Sequence, residues 1–395
     1  MAFASRRRVS SRTLLRRFSS VCRPHLRKGV RGTDADRYVK TYGSVGFAVA
    51  WVSYYLLQLQ SLRELQVRLS LSRVLQQAVG WGNISKAQLN RLHHARPPEL
   101  WEPLICHLLK RLQGRAVPSH IRLLDTSFFS LSTRLLKRRY PKKRMRAGTA
   151  GMKLGAVLDP ENWLPVRFCS RVGQDCDTGW LDDLVPPGED VRGLLFIFDR
   201  GFRKYAFFGR LIADGAHFLT RATAQIHYTV QAALALDPAH PEVVSDQRVI
   251  LGSANGHNLM KQPVRRIELD KHVRRNRKRP VERLVFLTSD LETPAWELCE
   301  LYRRRWDIET FFRWFKRTIG CRPLGYSAEA AAHSFSAALV AYLLVLLLHQ
   351  AKARPDDSDA DASQWAAGLQ TTFQGIRALL YEIPGHDSLQ ALQFL

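Results

Sequence analysis

Between residues 301 and 320 the run LYRRRWDIETFFRWFKRTIG sorts its side chains by angle. At about 100° per residue, Leu301, Ile308, Phe311, Phe312, Phe315 and Ile319 share one stripe of a helix. Tyr302, Arg305, Glu309 and Lys316, spaced by three, four and seven, share another, with Trp306 and Arg313 on its flanks. The pattern predicts one helix with a buried face and a polar face. Helical patterning also covers 43–60, 61–79, 85–95 and 98–113, where Asn-Ile-Ser at 83–85 and Arg-Pro-Pro at 96–98 read as helix starts. From 120 onward the pattern changes to strands at 121–132, 151–158, 164–172, 191–199 and 217–221, with short helices after 177 and at 204–214. Strand-like segments fill 222–287 as a β-rich insertion, and 328–350 is a long apolar helix.

This order divides the chain into a basic flexible arm (1–33), a helical N-terminal domain (34–118), a core in two parts (119–221 and 289–352) split by the insertion (222–288), and a C-terminal tail (353–395). No function is read in the tail, and its Pro-Asp-Asp-Ser-Asp-Ala-Asp run at 355–361 is an acidic linker. The apolar runs at 45–57 and 337–348 are shorter than the ~20 residues of a spanning helix, so no membrane partner is expected.

Charge sharpens this picture. With 60 Lys+Arg against 35 Asp+Glu the net charge is +25, which points to a polyanionic partner. Ten Lys/Arg and no acid lie in residues 1–32, as in an arm on DNA phosphates or a transit peptide. Eight Lys/Arg lie between Arg134 and Arg146, among them Lys142, Lys143 and Arg144, and read as a phosphate-tracking loop. Nine more between Arg265 and Arg283 suggest a further DNA-facing patch or an exposed hairpin. The six cysteines form no C-x-x-C pair, which fits a reduced cytosolic protein.

A helix face with one carboxylate, Glu309, between Arg305, Arg313 and Lys316 can be a solvated charged face, or a site for a metal ion and phosphates. Two other acids lie at apolar strands: Asp125 within the strand at 121–132, where a lone Asp is usually a strand end or turn former, and Asp199 at the end of Leu-Leu-Phe-Ile-Phe. A buried strand ending in an acid presents a carboxylate at the mouth of an open α/β sheet.

The run Y-x2-R-x3-E-x6-K, with YRRRWDIE inside it, resembles the signature of DDE transposases of the insertion sequence 4 family. Asp125-Thr, Phe-Asp199-Arg-Gly-Phe and Phe-Leu-Thr-Arg221 resemble that family's catalytic strands, and the words DADRYVKTYGS and SLRELQ its N-terminal helical region. The resemblance implies an α/β, ribonuclease-H-like catalytic core with a mixed sheet. Asp125, Asp199 and Glu309 would be its metal-binding catalytic triad, holding Mg²⁺ or Mn²⁺, two ions in all. Tyr302, Arg305, Trp306, Arg313 and Lys316 would contact DNA. The implied activity is cut-and-paste transposition: cleavage at an element's terminal inverted repeats and transfer of the 3′-OH ends into target DNA, by a homodimer in a synaptic complex in the bacterial cytoplasm. A non-catalytic DNA-binding derivative and a ribonuclease-H-like nuclease are the alternatives. No tryptophan lies between 222 and 287, so a DNA hairpin step that stacks an insertion-domain tryptophan on a flipped base is not supported.

Overall fold

The computed structural model describes residues 11–131, 150–172, 176–223, 225–252, 260–272, 281–322, 324, 328–351 and 362–380. Lys142, Lys143, Arg144 and the rest of the basic loop, the acidic linker at 355–361 and the end of the tail lie outside them. The chain forms two compact units. One comprises Met1–Ala116, Phe129–Met152 and Thr310–Leu395, the other Val117–Phe128 and Lys153–Glu309.

The first unit opens with α1 (Ser11–Arg31). Composition predicts a flexible arm here, yet Phe18, Cys22 and Leu26, four residues apart, are buried. Gly29 lies so close to the backbone of Leu100 that a Cβ would stand 2.2 Å from its carbonyl oxygen. The arginines of this stretch therefore belong to an amphipathic helix with a packed face. Next come α2 (Ser44–Leu56), α3 (Leu62–Leu71), α4 (Arg73–Val79), α5 (Lys86–His94) and α6 (Glu102–Gln113). The patterning predicts one helix over 61–79; Ser72 divides it, its side chain accepting the Leu75 N–H as the cap of α4.

In the second unit a nine-stranded sheet is built from β1 (Ile121–Leu131), β2 (Ala150–Asp159), β3 (Leu164–Val172), β4 (Leu195–Phe198), β5 (His217–Ala222), β6 (Tyr228–Ala233), β7 (Val243–Leu251), β8 (Val264–His272) and β9 (Val281–Thr288). Their order is β3-β2-β1-β4-β5-β9-β8-β7-β6. β1, β4 and β5 run parallel, and β9, β8, β7 and β6 continue the sheet antiparallel. The first five strands form the ribonuclease-H-like core, and the insertion extends that sheet instead of standing apart from it. β4, LFIF, is buried at every position, as a parallel strand covered on both faces must be. Short helices α7 (Leu181–Leu184) and α8 (Tyr205–Ala213) flank it; Phe208 of α8 stacks on Phe218 of β5 at 4.2 Å between ring centroids.

Two of the insertion's arginines are not free for DNA. Arg265, 5% exposed, makes paired bonds of 2.8 and 2.6 Å to the buried Asp246 carboxylate, and Arg266, 3% exposed, meets Glu268 at 2.6 Å. A buried guanidinium needs such a partner. Arg283 pairs with Asp270 at 2.7 Å, and residues 273–280 lie outside the described set.

The region predicted as one helix over 301–320 comprises α9 (Ala295–Leu301), a 3₁₀ turn at Tyr302–Arg304, and α10 (Arg305–Arg317). The backbone stays right-handed throughout but tightens at the three central residues. Arg304 fastens the junction, donating to Asp307 at 2.8 Å and to Glu161, in the β2–β3 turn, at 2.9 Å.

α11 (Ala328–Gln350) and α12 (Ala362–Leu380) complete the first unit. By length and composition α11 could cross a membrane, but every residue from Ala337 to Leu348 is buried, packed among α2, α6 and α12. At its start His333 lies fully buried; its Nδ1 accepts the Trp101 indole N–H at 2.9 Å, and its Nε2 faces the Arg96 carbonyl at 3.0 Å. A proton added at Nδ1 would set two donors face to face. Burial holds the pKa of His333 down at about 4 and that of His93, ringed by Phe47 and Trp51, at about 3. Both folded-state values lie below the ordinary 6.5, so the stability these residues contribute is present above pH 6.5 and is lost as pH falls toward 3 to 4. Unfolding free energies from urea titrations should fall by up to about 1.4 kcal/mol per pH unit per histidine below pH 6.5, and His93→Phe should remove one share of that slope.

Candidate active site

β1 and β4 are registered so that Leu124 faces Phe198. The next residue along each chain is acidic, so Asp125, inside β1, and Asp199, just past the end of β4, are neighbours, their backbones about 5 Å apart along the hydrogen-bonding direction. Asp125 accepts the Thr126 N–H at 2.7 Å. Asp199 caps the 3₁₀ turn Arg200–Phe202 and accepts the Gly201 N–H.

A third carboxylate lies with them. Asp177, which precedes α7, accepts Thr126 Oγ1 and Lys153 Nζ, both at 2.5 Å on the same oxygen, Oδ1. A Cβ at Gly201 would sit 2.7 Å from Asp177 Oδ2 and 3.1 Å from Asp199 Oδ1. Only glycine leaves room for these two carboxylates, and this close approach, not a left-handed backbone, accounts for the Gly. Sequence reasoning missed Asp177 and Lys153. Asp177 is read there only as the start of a short helix, and no spacing ties it to Asp125 or to the lysine that answers its charge.

Crowding of like charges marks the centre. Burial pushes the Asp125 carboxyl up to about 7, with the Asp199 and Asp177 charges adding to the shift while the Thr126 amide and Arg305 oppose it. Arg305 carries the answering charge: its guanidinium, 14% exposed, meets Glu309 Oε1 at 2.6 Å, one turn along α10. Beside it Tyr302 packs its ring edge-on against Phe286 of β9, and burial drives its hydroxyl up to about 12. Trp306 is 58% exposed with the Arg305 guanidinium 5.4 Å from its ring centroid, so it faces solvent instead of packing beneath the site.

The second unit thus brings together Asp125, Asp199, Tyr302, Arg305, Trp306 and Glu309 of the predicted residues. Arg313 and Lys316 belong to the part of α10 assigned to the first unit: Arg313 is exposed, and Lys316 Nζ lies 4.6 Å from the Phe129 ring centroid. Among the described residues, no group of three His, Cys, Asp or Glu side chains is already gathered to hold a metal ion. Asp125 and Asp199 offer hard oxygen donors suited to Mg²⁺ or Mn²⁺ in a pocket with excess negative charge, whereas Glu309 is engaged by Arg305. The donor set fits a divalent cation; its third arm is occupied by an arginine.

Comparison with known proteins gives four likenesses. The transposase DDE domain family matches residues 118–345. A protein of Sinorhizobium fredii named as a transposase is 28% identical over 240 residues, 60% of this chain and 62% of its own. A protein of Geobacillus stearothermophilus named as a transposase for an insertion sequence element is 23% identical over 236 residues, 59% of this chain and 57% of its own. The chain therefore spans about three-fifths of the length of these relatives. A cryo-EM structure of a piggyBac transposase synaptic complex with hairpin DNA superposes with a TM-score of 0.44 at 8% identity, over 94% of this chain and 80% of that one.

The Asp125 shift has a measurable consequence. Its carboxyl rises from 3.8 to about 7 on folding, so the stabilising, protonated form is fully present below pH 3.8 and is lost as pH rises through 7. Asp125→Asn, which cannot ionise, should be more stable than the parent at about pH 8, by up to about 4 kcal/mol, with the gap closing below about pH 4. Urea titrations of both proteins across that range check it.

Proposed function

Since the chain belongs to the transposase DDE domain family, we propose that it is a DNA transposase of the insertion sequence 4 type, which cuts DNA at its element's terminal inverted repeats and joins the 3′-OH ends to target DNA. The observation that carries this reading is the register of β1 and β4, which sets Asp125 and Asp199 side by side although 74 residues separate them in the chain.

In this reading Asp125 and Asp199 hold the divalent metal, with Glu309 as the third ligand. Two Mg²⁺ or Mn²⁺ ions, when bound, activate the attacking water or 3′-OH and stabilise the leaving 3′ oxygen. Arg305 has a planar fork suited to a phosphate as well as to a carboxylate. A DNA phosphate at the site competes with Glu309 for that fork, so arrival of DNA releases the glutamate. Trp306 offers an exposed ring to a base, Tyr302 backs Arg305 on its buried side, and Arg313, Lys316, Lys142, Lys143 and Arg144 contact phosphates. Asp177, held by Lys153 and by the Thr126 hydroxyl, adds its charge beside Asp125.

The partners in this proposal are double-stranded DNA at the element ends and at the target. Pairing two ends calls for a homodimer in a synaptic complex. Its place is the compartment that holds the genome, in a bacterium the cytoplasm.

Duplexes carrying the DNA that flanks the coding segment should be nicked in Mg²⁺, and Asp125→Ala, Asp199→Ala or Glu309→Ala should lower the rate by about 10³-fold or more while DNA affinity is kept. Full cleavage by Glu309→Ala would remove it from the triad. Trp306→Ala should instead weaken binding, by about 5- to 150-fold for one stacked base.

A further inference from the structure

The first unit carries a feature that the catalytic chemistry does not use. Between α1 and α2 the five residues Arg37 to Thr41 all face solvent, and Tyr38 among them is 87% exposed. Its backbone is left-handed, with φ at +70°, a conformation strained for a bulky L-residue. Such strain persists where the surroundings over-determine it, and it marks candidate functional positions.

Here the surroundings do so. Asp36, immediately before the exposed residues, accepts both the Ser44 N–H at 2.8 Å and the Ser44 Oγ–H at 2.6 Å. Arg96, 4% exposed, donates from Nε to Ser44 Oγ at 2.8 Å and from Nη2 to the Tyr42 carbonyl. Tyr42 in turn donates from its hydroxyl to the Asn83 carbonyl at 3.1 Å. Both ends of the loop are thus tied into a buried polar network, and its tip is a rigid mount for one aromatic ring.

Positive charge accompanies that ring. The Arg37 guanidinium lies 5.4 Å from its centroid, and Lys40, two residues on in the same loop, is exposed. Arg37 is also 3.6 Å from Asp34, but both are largely in solvent, where such a pair is worth little. A rigid exposed aromatic flanked by positive charge fits a nucleobase on its face and phosphates at its sides. A net charge of +25 favours a polyanion over a protein surface.

We propose that the loop Arg37–Tyr38–Val39–Lys40 is a DNA contact of the helical unit, in which Tyr38 stacks on an exposed base and Arg37 and Lys40 hold the adjoining phosphates. The inference rests on the transposase reading and adds to it a second DNA contact whose recognition chemistry is stacking.

The test uses the full chain and duplexes copied from the DNA flanking the coding segment, with 2-aminopurine placed in turn at the terminal positions. Tyr38→Gly suits the left-handed backbone, so its thermal midpoint should equal or exceed the parent's, while its affinity should fall about 5- to 150-fold with loss of the 2-aminopurine response at one position. Tyr38→Phe should keep both. Arg37→Ala with Lys40→Ala should lower the slope of log affinity against log salt by about two. If the parent binds and nicks these duplexes and Tyr38→Gly does the same with equal affinity and an unchanged response, this inference fails and the transposase reading stands. If the parent binds none of them, both fail. An altered oligomeric state in Tyr38→Gly with unchanged DNA affinity assigns the loop to a protein contact and overturns the proposal.

Discussion

Carboxylates of like charge converge where β4 ends beside the middle of β1, and the local design of the second unit follows from containing them. At an effective dielectric of about 20, two unit charges ~5 Å apart repel by roughly 3 kcal/mol, a large fraction of what holds a domain together. The protein offsets this in three ways. Burial keeps the Asp125 carboxyl near neutrality, Lys153 answers Asp177, and Arg305 turns into the cluster from α10. Each compensation is polar and reversible, so a cation or a phosphate can take the place of a protein partner. The site is assembled at a cost to stability, as like charges held this close require.

Much of this was legible in the sequence, and the exceptions have physical reasons. Asp125 and Asp199 were singled out by the family words around them, because an acid beside an apolar run is more often a turn former, and Glu309 because its helix face carries one carboxylate among cations. The buried stripe of α10 was read correctly from Ile308 to Ile319, each of its predicted positions there being buried. The 3₁₀ turn at Tyr302–Arg304 escaped, since its cause is tertiary: Arg304 reaches Glu161, more than a hundred residues away. Asp177 escaped for the same reason, its partners being supplied by two strands. Composition misled at the N-terminus, where ten cations concealed the four-residue spacing of Phe18, Cys22 and Leu26. It misled again at Arg265 and Arg266, which count as positive charge in the sequence but are buried against acids in the fold.

The helical unit is discontinuous in the chain, and the sheet-based unit is inserted within its sequence. α11 is apolar on all sides because it is the shared core of the first unit, and α2 and α6 bury their faces on it. Both helices are made early in the chain and their partner begins only at Ala328. At a synthesis rate of about 5–20 residues per second, α2 waits roughly a quarter of a minute to a minute for α11. During that interval the sheet of the second unit can close, while the early helices expose apolar surface of the kind that chaperones bind. A nascent chain of this topology completes its sheet-based unit before its helical one, so a message truncated ahead of α11 yields a folded carboxylate cluster attached to helices that cannot pack.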